Sequence, residues 1–163
     1  MIGSRMLANG PHQGLITWAR MDFSCFWRGE FSNDTVNRLH AEAFGHPIVA
    51  DDWWGRVNRH SLGWVCARTP EDLVGFVNLA WDGALHAFIL DAMVASRHRR
   101  LGIAAKILAI CVREARDARC EWLHVDFGEE LRELYFDTAG FMPTDAGLIN
   151  LRFVPRARIA QST

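Results

Sequence analysis

Apolar positions along the chain change their period several times, and the changes divide it into elements. From Phe23 to Phe31 aromatic side chains dominate, as in a first strand. Ser32 or Asn33 then supplies an N-cap, and Val36, Leu39, His40, Ala43 and Phe44 recur at helical spacing until Gly45 stops the helix, with Pro47 just beyond. Residues 47–60 are irregular and aromatic, and Asp51 or Asp52 caps a short second helix carrying Trp53, Trp54 and Val57. Strands follow: Gly63 to Arg68, a Thr69-Pro70-Glu71-Asp72 turn, Leu73 to Trp81, an Asp82-Gly83 hairpin signal, then Ala84 to Val94. In the last of these Leu85, Ala87 and Ile89 face one side and Phe88 and Leu90 the other, which marks a central strand.

An amphipathic helix comes next, since Ile103, Ile107, Cys111 and Ala115 step by four while Lys106, Arg113 and Asp117 lie off that stripe. Glu121 to Phe127 reads as a strand parallel to the one before the helix, because a strand, helix, strand unit of this length makes such a crossover. Leu131, Leu134 and Tyr135 belong to a further short helix stopped by Gly140; Phe141-Met142-Pro143 and Gly147 to Val154 read as closing strands. Residues 1–22 show no sustained period and residues 155–163 are polar. They are expected to be a loosely ordered leader and a tail around one domain, residues 23–154.

Composition narrows the function classes. The 163 residues can bury a sizeable core without disulfides or metal, and half are hydrophobic at a formal charge of -1, so neither disorder nor a nucleic-acid footprint is expected. Four cysteines, Cys25, Cys66, Cys111 and Cys120, lack metal-ligand spacing and read as reduced thiols of a cytoplasmic protein with no metal. No stretch reaches the length of a membrane span, and the N-terminus lacks the apolar core of a signal peptide.

The basic residues are local. Between the apolar run that ends at Val94 and the helix that starts at Ile103 stand Arg97, His98, Arg99 and Arg100, then Gly102. The first amides of a helix have no intrahelical partner and sit at the positive end of its dipole, so this turn is a ready site for a phosphate. Gly102 lets the main chain approach such an anion, and Arg can form paired bonds to its oxygens. A P-loop is excluded by the missing Gly-Lys-Ser/Thr, and a dinucleotide fold by the single glycine.

The order of elements, the Arg99-x-x-Gly102-x-Ala104 signature after Val94, and Tyr135-Phe136-x-x-x-Gly140-Phe141 together resemble the GCN5-related N-acetyltransferase (GNAT) superfamily. The resemblance covers about Phe23 to Phe153. It implies an α/β fold: a mixed sheet of six to seven strands flanked by about four helices. It implies acetyl-CoA as donor cosubstrate, with the backbone of Met93 and Val94 pairing with the pantetheine arm and Arg99, Arg100, Leu101, Gly102, Ile103, Ala104 and Ala105 wrapping the pyrophosphate. The activity it implies is acetyl transfer to a small-molecule or peptide amine by direct attack, with a backbone donor for the developing oxyanion. It is also compatible with a homodimer.

The sequence departs from the family pattern at two places. Counted back from Gly140, the family's usual tyrosine, which protonates the departing thiolate, falls at Phe136, one residue from Tyr135, the chain's only tyrosine. Glu129 stands near the place of the family's frequent asparagine. Tyr135 therefore reads either as the general acid, restored by a local bulge, or as a core aromatic.

Asp91, the first charge after the apolar strand, reads either as the base that takes a proton from an ammonium acceptor or as a structural carboxylate. His124 and Asp126 share a face of their strand and could reach the same cleft. Trp53, Trp54 and Trp81, with Asp126, are the expected acceptor-binding residues, and Asp51, Asp52, Asp82, Asp91 and Asp126 favour a cationic acceptor. His46 and His60 read as loop histidines without a partner. Two other readings stand beside the enzyme: a non-catalytic acyl-CoA-binding or regulatory domain of the same fold, and an interaction module that uses the tryptophan-rich segment.

Overall fold

A computed structural model describes residues 22–152. The expected leader, apart from Asp22, and the expected tail lie outside the described residues. Five strands form one sheet in the order β1-β2-β3-β4-β5: β1 Ser24–Trp27, β2 Ser61–Arg68, β3 Leu73–Trp81, β4 His86–Val94 and β5 Trp122–His124. All neighbours are antiparallel except β4 and β5, which α3 (Ile103–Asp117) connects in parallel. This is a mixed α/β sheet with helices on both faces.

The two faces follow from period-two alternation. Val65 and Ala67 of β2 and Ala87 and Ile89 of β4 pack with the Ile103, Ile107, Leu108, Cys111 and Ala115 stripe of α3. Trp64, Cys66, Phe76 and Met93 point the other way, onto Val36 and Leu39 of α1 (Asn33–Phe44) and Trp53 and Val57 of α2 (Trp53–His60). Local signals set the helix ends. The Ser32 side chain accepts from the Thr35 amide, Gly45 takes φ 68° and donates to Ala41 O at 2.9 Å, and Asp52 accepts from the Gly55 amide at 2.9 Å.

Among the described residues the sheet has five strands where six to seven are expected, and no described segment after β5 returns to it. The expected closing strands are irregular or turn as far as they are described, and residues 153 and 154 of the second lie outside the described residues. Met142, Leu148, Ile149 and Leu151 are all exposed. A three-residue β5 offers a short free edge, and Pro143 removes a donor from the segment that would meet it. The expected helix over 131–140 is instead a 3-10 turn, Glu129–Leu131, followed by a π-helix, Glu133–Thr138.

Candidate active site

Strand β4 is interrupted where its first charge falls. Asn78 of β3 faces Leu90 and Phe76 faces Met93, so Asp91 and Ala92 together stand opposite Val77, which is a β-bulge. Asp91 takes φ 53°, a left-handed conformation that Asp and Asn enter more readily than other side chains. The extra residue reverses the alternation: Ile89 belongs to the α3 face and Met93 to the α1–α2 face.

Beside the bulge the sheet opens. Strands β4 and β5 pair only from His86 to Phe88 with Trp122 to His124, and among the described residues no strand lies on that side of β4 from Ile89 to Val94. The edge then runs into the basic turn. Arg100 has φ 63° and Gly102 φ 79°, and no side chain caps α3. Since its first helical bond runs from the Lys106 amide to Gly102 O, the amides at the start of α3 have no partner within the helix.

The four basic side chains of the turn do not act together. Arg97 pairs with Asp72, and His98 is buried with Nδ1 unpartnered. Arg99 lies across the Val94 carbonyl, with Nε at 3.4 Å, and is exposed, as is Arg100. Only Arg99 and Arg100 are thus presented to an anion beside the amides of 101–105. Glu42 of α1 accepts from the Ser96 amide at 2.6 Å; that bond holds its carboxyl below the usual range and ties α1 to the turn.

Asp91 lies against α1. Its Oδ1 is 3.6 Å from His40 Nε2, and the Asn78 side chain, whose amide oxygen is taken by Ser61 at 2.6 Å, favours the ionised carboxylate. Burial pushes the Asp91 carboxyl up, against the opposing charges of His40 and Arg56 and the Asn78 side chain. Burial likewise pushes His40 down, against the charge of Asp91. His40 Nδ1 is 2.7 Å from His46 Nε2, and His46 Nδ1 is 2.7 Å from the Pro47 carbonyl.

In the sequence His46 has no evident partner, because its contact needs the loop after Gly45 to fold back onto α1. A histidine on an apolar helical stripe and a carboxylate in an apolar strand were the signals present.

Tyr135 is buried, 3% exposed, stacked on Phe127 at 4.5 Å and edge-on to Phe141 at 5.7 Å. The π-helix supplies the extra residue: Ala139 donates to Leu134 O and Phe141 to Tyr135 O, both at 2.9 Å. Tyr135 rather than Phe136 therefore turns into the α3 core, while Phe136 is half-buried under Arg132. Burial raises the Tyr135 phenol, and the charge of Asp126 raises it further. Asp126 itself is exposed just past β5.

The tryptophans separate. Trp53 is 1% exposed, gives its indole N–H to Asn37 Oδ1 at 2.8 Å and packs at a tilt against His40 with ring centroids 5.2 Å apart, so it supports His40 from the core and is no pocket wall. Trp54 is exposed and edge-on to Phe31 and Trp64, and Trp81 is half-buried at the end of β3. Next to Asn37 a depression of about 340 Å³ is lined by Asp34, Asp51 and Asp52. His124 is exposed, stacked on Phe88 at 4.7 Å and bonded to His86 at 2.8 Å. Among the described residues no group of three or more His, Cys, Asp or Glu is placed to hold a metal, and no helix is long and apolar enough to cross a membrane.

Comparison with known proteins agrees with this architecture. Residues 16–141 match the family model described as the acetyltransferase (GNAT) family. No curated protein gives a significant match. Among solved structures, an acetyltransferase from Trypanosoma brucei is 15% identical, with 79% of this chain and 99% of that one aligned and a TM-score of 0.66. A GNAT family acetyltransferase from Streptococcus pneumoniae TIGR4 is 19% identical over 80% and 99% of the two chains, with a TM-score of 0.64. An aminoglycoside N-acetyltransferase in complex with CoA is 16% identical over 79% and 93%, with a TM-score of 0.61.

Proposed function

The chain belongs to the acetyltransferase (GNAT) family, and from that premise we propose that it transfers the acetyl group of acetyl-CoA to a primary amine by direct attack in a ternary complex. One observation carries the reading: the edge of β4 left open beyond Phe88 leads without interruption into a turn whose amides are unbonded at the start of α3. An extended arm ending in a diphosphate fits that outline, since a strand edge holds the arm by main-chain bonds and the helix start holds the anion. Met93 and Val94 provide the edge, Leu101 to Ala105 the main chain, and Arg99 and Arg100 the charge.

Bound acetyl-CoA supplies an activated acyl group; the protein orients it, takes a proton and returns one. Asp91, raised by burial yet partly exposed, is the group that takes a proton from an ammonium acceptor. Tyr135 stays protonated well past neutrality, as a donor to a departing thiolate must. A cationic small molecule or peptide is the preferred acceptor class, because the half-buried Asp91 carboxylate stands at the open part of β4, whereas Asp34, Asp51 and Asp52 line a separate depression and pair with Arg38, Arg56 and Arg59. Trp54 and Trp81 are its candidate apolar contacts, with Asp126 on the β5 side. A non-catalytic acyl-CoA-binding role draws support from the packing of Tyr135, 3% exposed between Phe127 and Phe141 as a structural aromatic would be.

The test is release of free thiol from acetyl-CoA with a panel of spermidine, kanamycin, a lysine peptide and phenylethylamine. Amine-dependent release is expected, with a loss of at least tenfold in Asp91→Asn and in Tyr135→Phe. Binding of acetyl-CoA without turnover on any amine would favour the second reading. A wild-type protein that gives no heat with acetyl-CoA would refute both.

A further inference from the structure

We propose that the base at this site is a pair, Asp91 with His40, whose single proton-accepting position is fixed by His46 acting as a tautomer lock. The inference rests on the acetyl-transfer reading and deepens it. The argument runs inward from Pro47. A carbonyl only accepts, so His46 Nδ1, 2.7 Å from Pro47 O, carries a proton. A neutral His46 then has a bare Nε2. His40 Nδ1, 2.7 Å from that nitrogen, must donate to it, and a neutral His40 is left with its lone pair on Nε2, facing Asp91 Oδ1 at 3.6 Å.

That arrangement leaves one vacancy for a proton between a carboxylate and an imidazole. With the vacancy open the pair carries one negative charge. When an ammonium acceptor gives up a proton, its N–H bond breaks, the electron pair stays on nitrogen as the nucleophile, and the proton ends between Asp91 and His40, making the pair neutral. Two groups then share what a lone carboxylate would have to hold alone, and the macroscopic titration belongs to the pair. The surroundings suit a single shared proton. Burial disfavours charge on either member. The groups that face the pair are Asn78 from β3, Arg56 from α2, and Asp51 and His46 from the α1–α2 loop, with the Trp53 and Phe44 rings against His40. Both members remain about a quarter exposed, at 25% and 27%, so an acceptor can reach them.

In this scheme His46 is a positioning residue. His46→Phe keeps a ring beside His40 but offers no acceptor, so His40 is free to place its proton on Nε2 and close the vacancy. His46→Gln keeps an oxygen able to accept from His40 Nδ1. The experiment follows kcat and KM against pH for the panel amine of highest rate, acetyl-CoA affinity by calorimetry, and the histidine tautomers by 15N NMR of the protein without substrate. Expected are a kcat about tenfold lower in His46→Phe with a displaced acidic limb, KM and acetyl-CoA affinity within twofold of wild type, and recovery in His46→Gln. The wild-type NMR spectrum should show His40 protonated on Nδ1.

A wild-type His40 protonated on Nε2 would overturn the proposal even if no amine were turned over. A pH profile unchanged in a folded His46→Phe would overturn it as well. Failure of the wild type to acetylate any amine would instead count against the functional reading, with the NMR result still deciding the lock.

Discussion

Gly102→Ala separates backbone strain from ligand contact at the turn before α3. Gly102 sits at φ 79° and ψ 4°, and a Cβ added there meets no atom within 4 Å. The methyl group therefore encounters no packing penalty, and what remains is the cost of a left-handed conformation, about 1–2 kcal/mol for an L-residue. The stiffer unfolded chain offsets only part of this, about 0.4–1 kcal/mol. A net cost of about 1 kcal/mol can surface in two ways. If the turn keeps its shape, the fold is destabilised and the melting temperature falls by about 2–4 °C. If the turn relaxes, stability is kept, but the ligand must restore the turn and acetyl-CoA binds about fivefold more weakly. Urea unfolding and calorimetric titration with acetyl-CoA together measure both parts, whose sum should be about 1 kcal/mol. Gly147→Ala is the control, since no neighbour lies within 4 Å of its Cβ and its φ is not positive. A sum below zero would refute the reasoning from φ, since these two ranges allow a net cost of about 0–1.6 kcal/mol. So would a hundredfold loss of affinity at unchanged stability, because the Cβ would then stand where the ligand belongs.

Other expectations follow from buried groups. Asn37→Ala strands the Trp53 indole N–H and the Asp51 carbonyl, which Asn37 now bonds at 2.8 and 3.1 Å, while the Asp51 amide keeps the Val49 carbonyl at 3.1 Å. A loss of about 2–4 kcal/mol in urea unfolding is expected, about 1–3 of it from the buried indole donor. Burial pushes the Cys66 and Cys111 thiols from the ordinary value of 9 up to about 12. Both stay protonated in the folded chain while unfolded thiols ionise, so the stability they add is complete below pH 9 and declines between pH 9 and 12. At about 1.4 kcal/mol per pH unit for each thiol, the Cys66→Ala/Cys111→Ala protein should show a visibly flatter alkaline limb in urea unfolding against pH. In the native protein a thiol reagent at pH 8 should label the half-buried Cys25 and Cys120 before Cys66 and Cys111; equal rates would contradict the burial.

What was legible in the sequence was whatever depends on neighbours along the chain. The caps at Ser32, Gly45 and Asp52, the Asp82-Gly83 turn and the strand, basic turn and helix around Gly102 all appear where local chemistry puts them. Features that need distant partners were not legible. The bulge at Asp91 is a matter of register against β3, and Trp53 reads as an acceptor-binding aromatic until α1 and β3 close over it. The basic turn looks like four cooperating charges, although Asp72 neutralises one and the core takes another. The closing strands fail for a related reason, since a strand forms only where a partner edge waits, and β5 ends after three residues.

The conformation of residue 91 limits what evolution or design can put there. Asparagine would preserve the bend and abolish the charge; glutamate would preserve the charge and force a longer chain through a backbone state it disfavours. Glycine would keep only the bend. Aspartate meets the steric and the acid–base demand together, so exchange for either asparagine or glutamate at that position should cost one of the two.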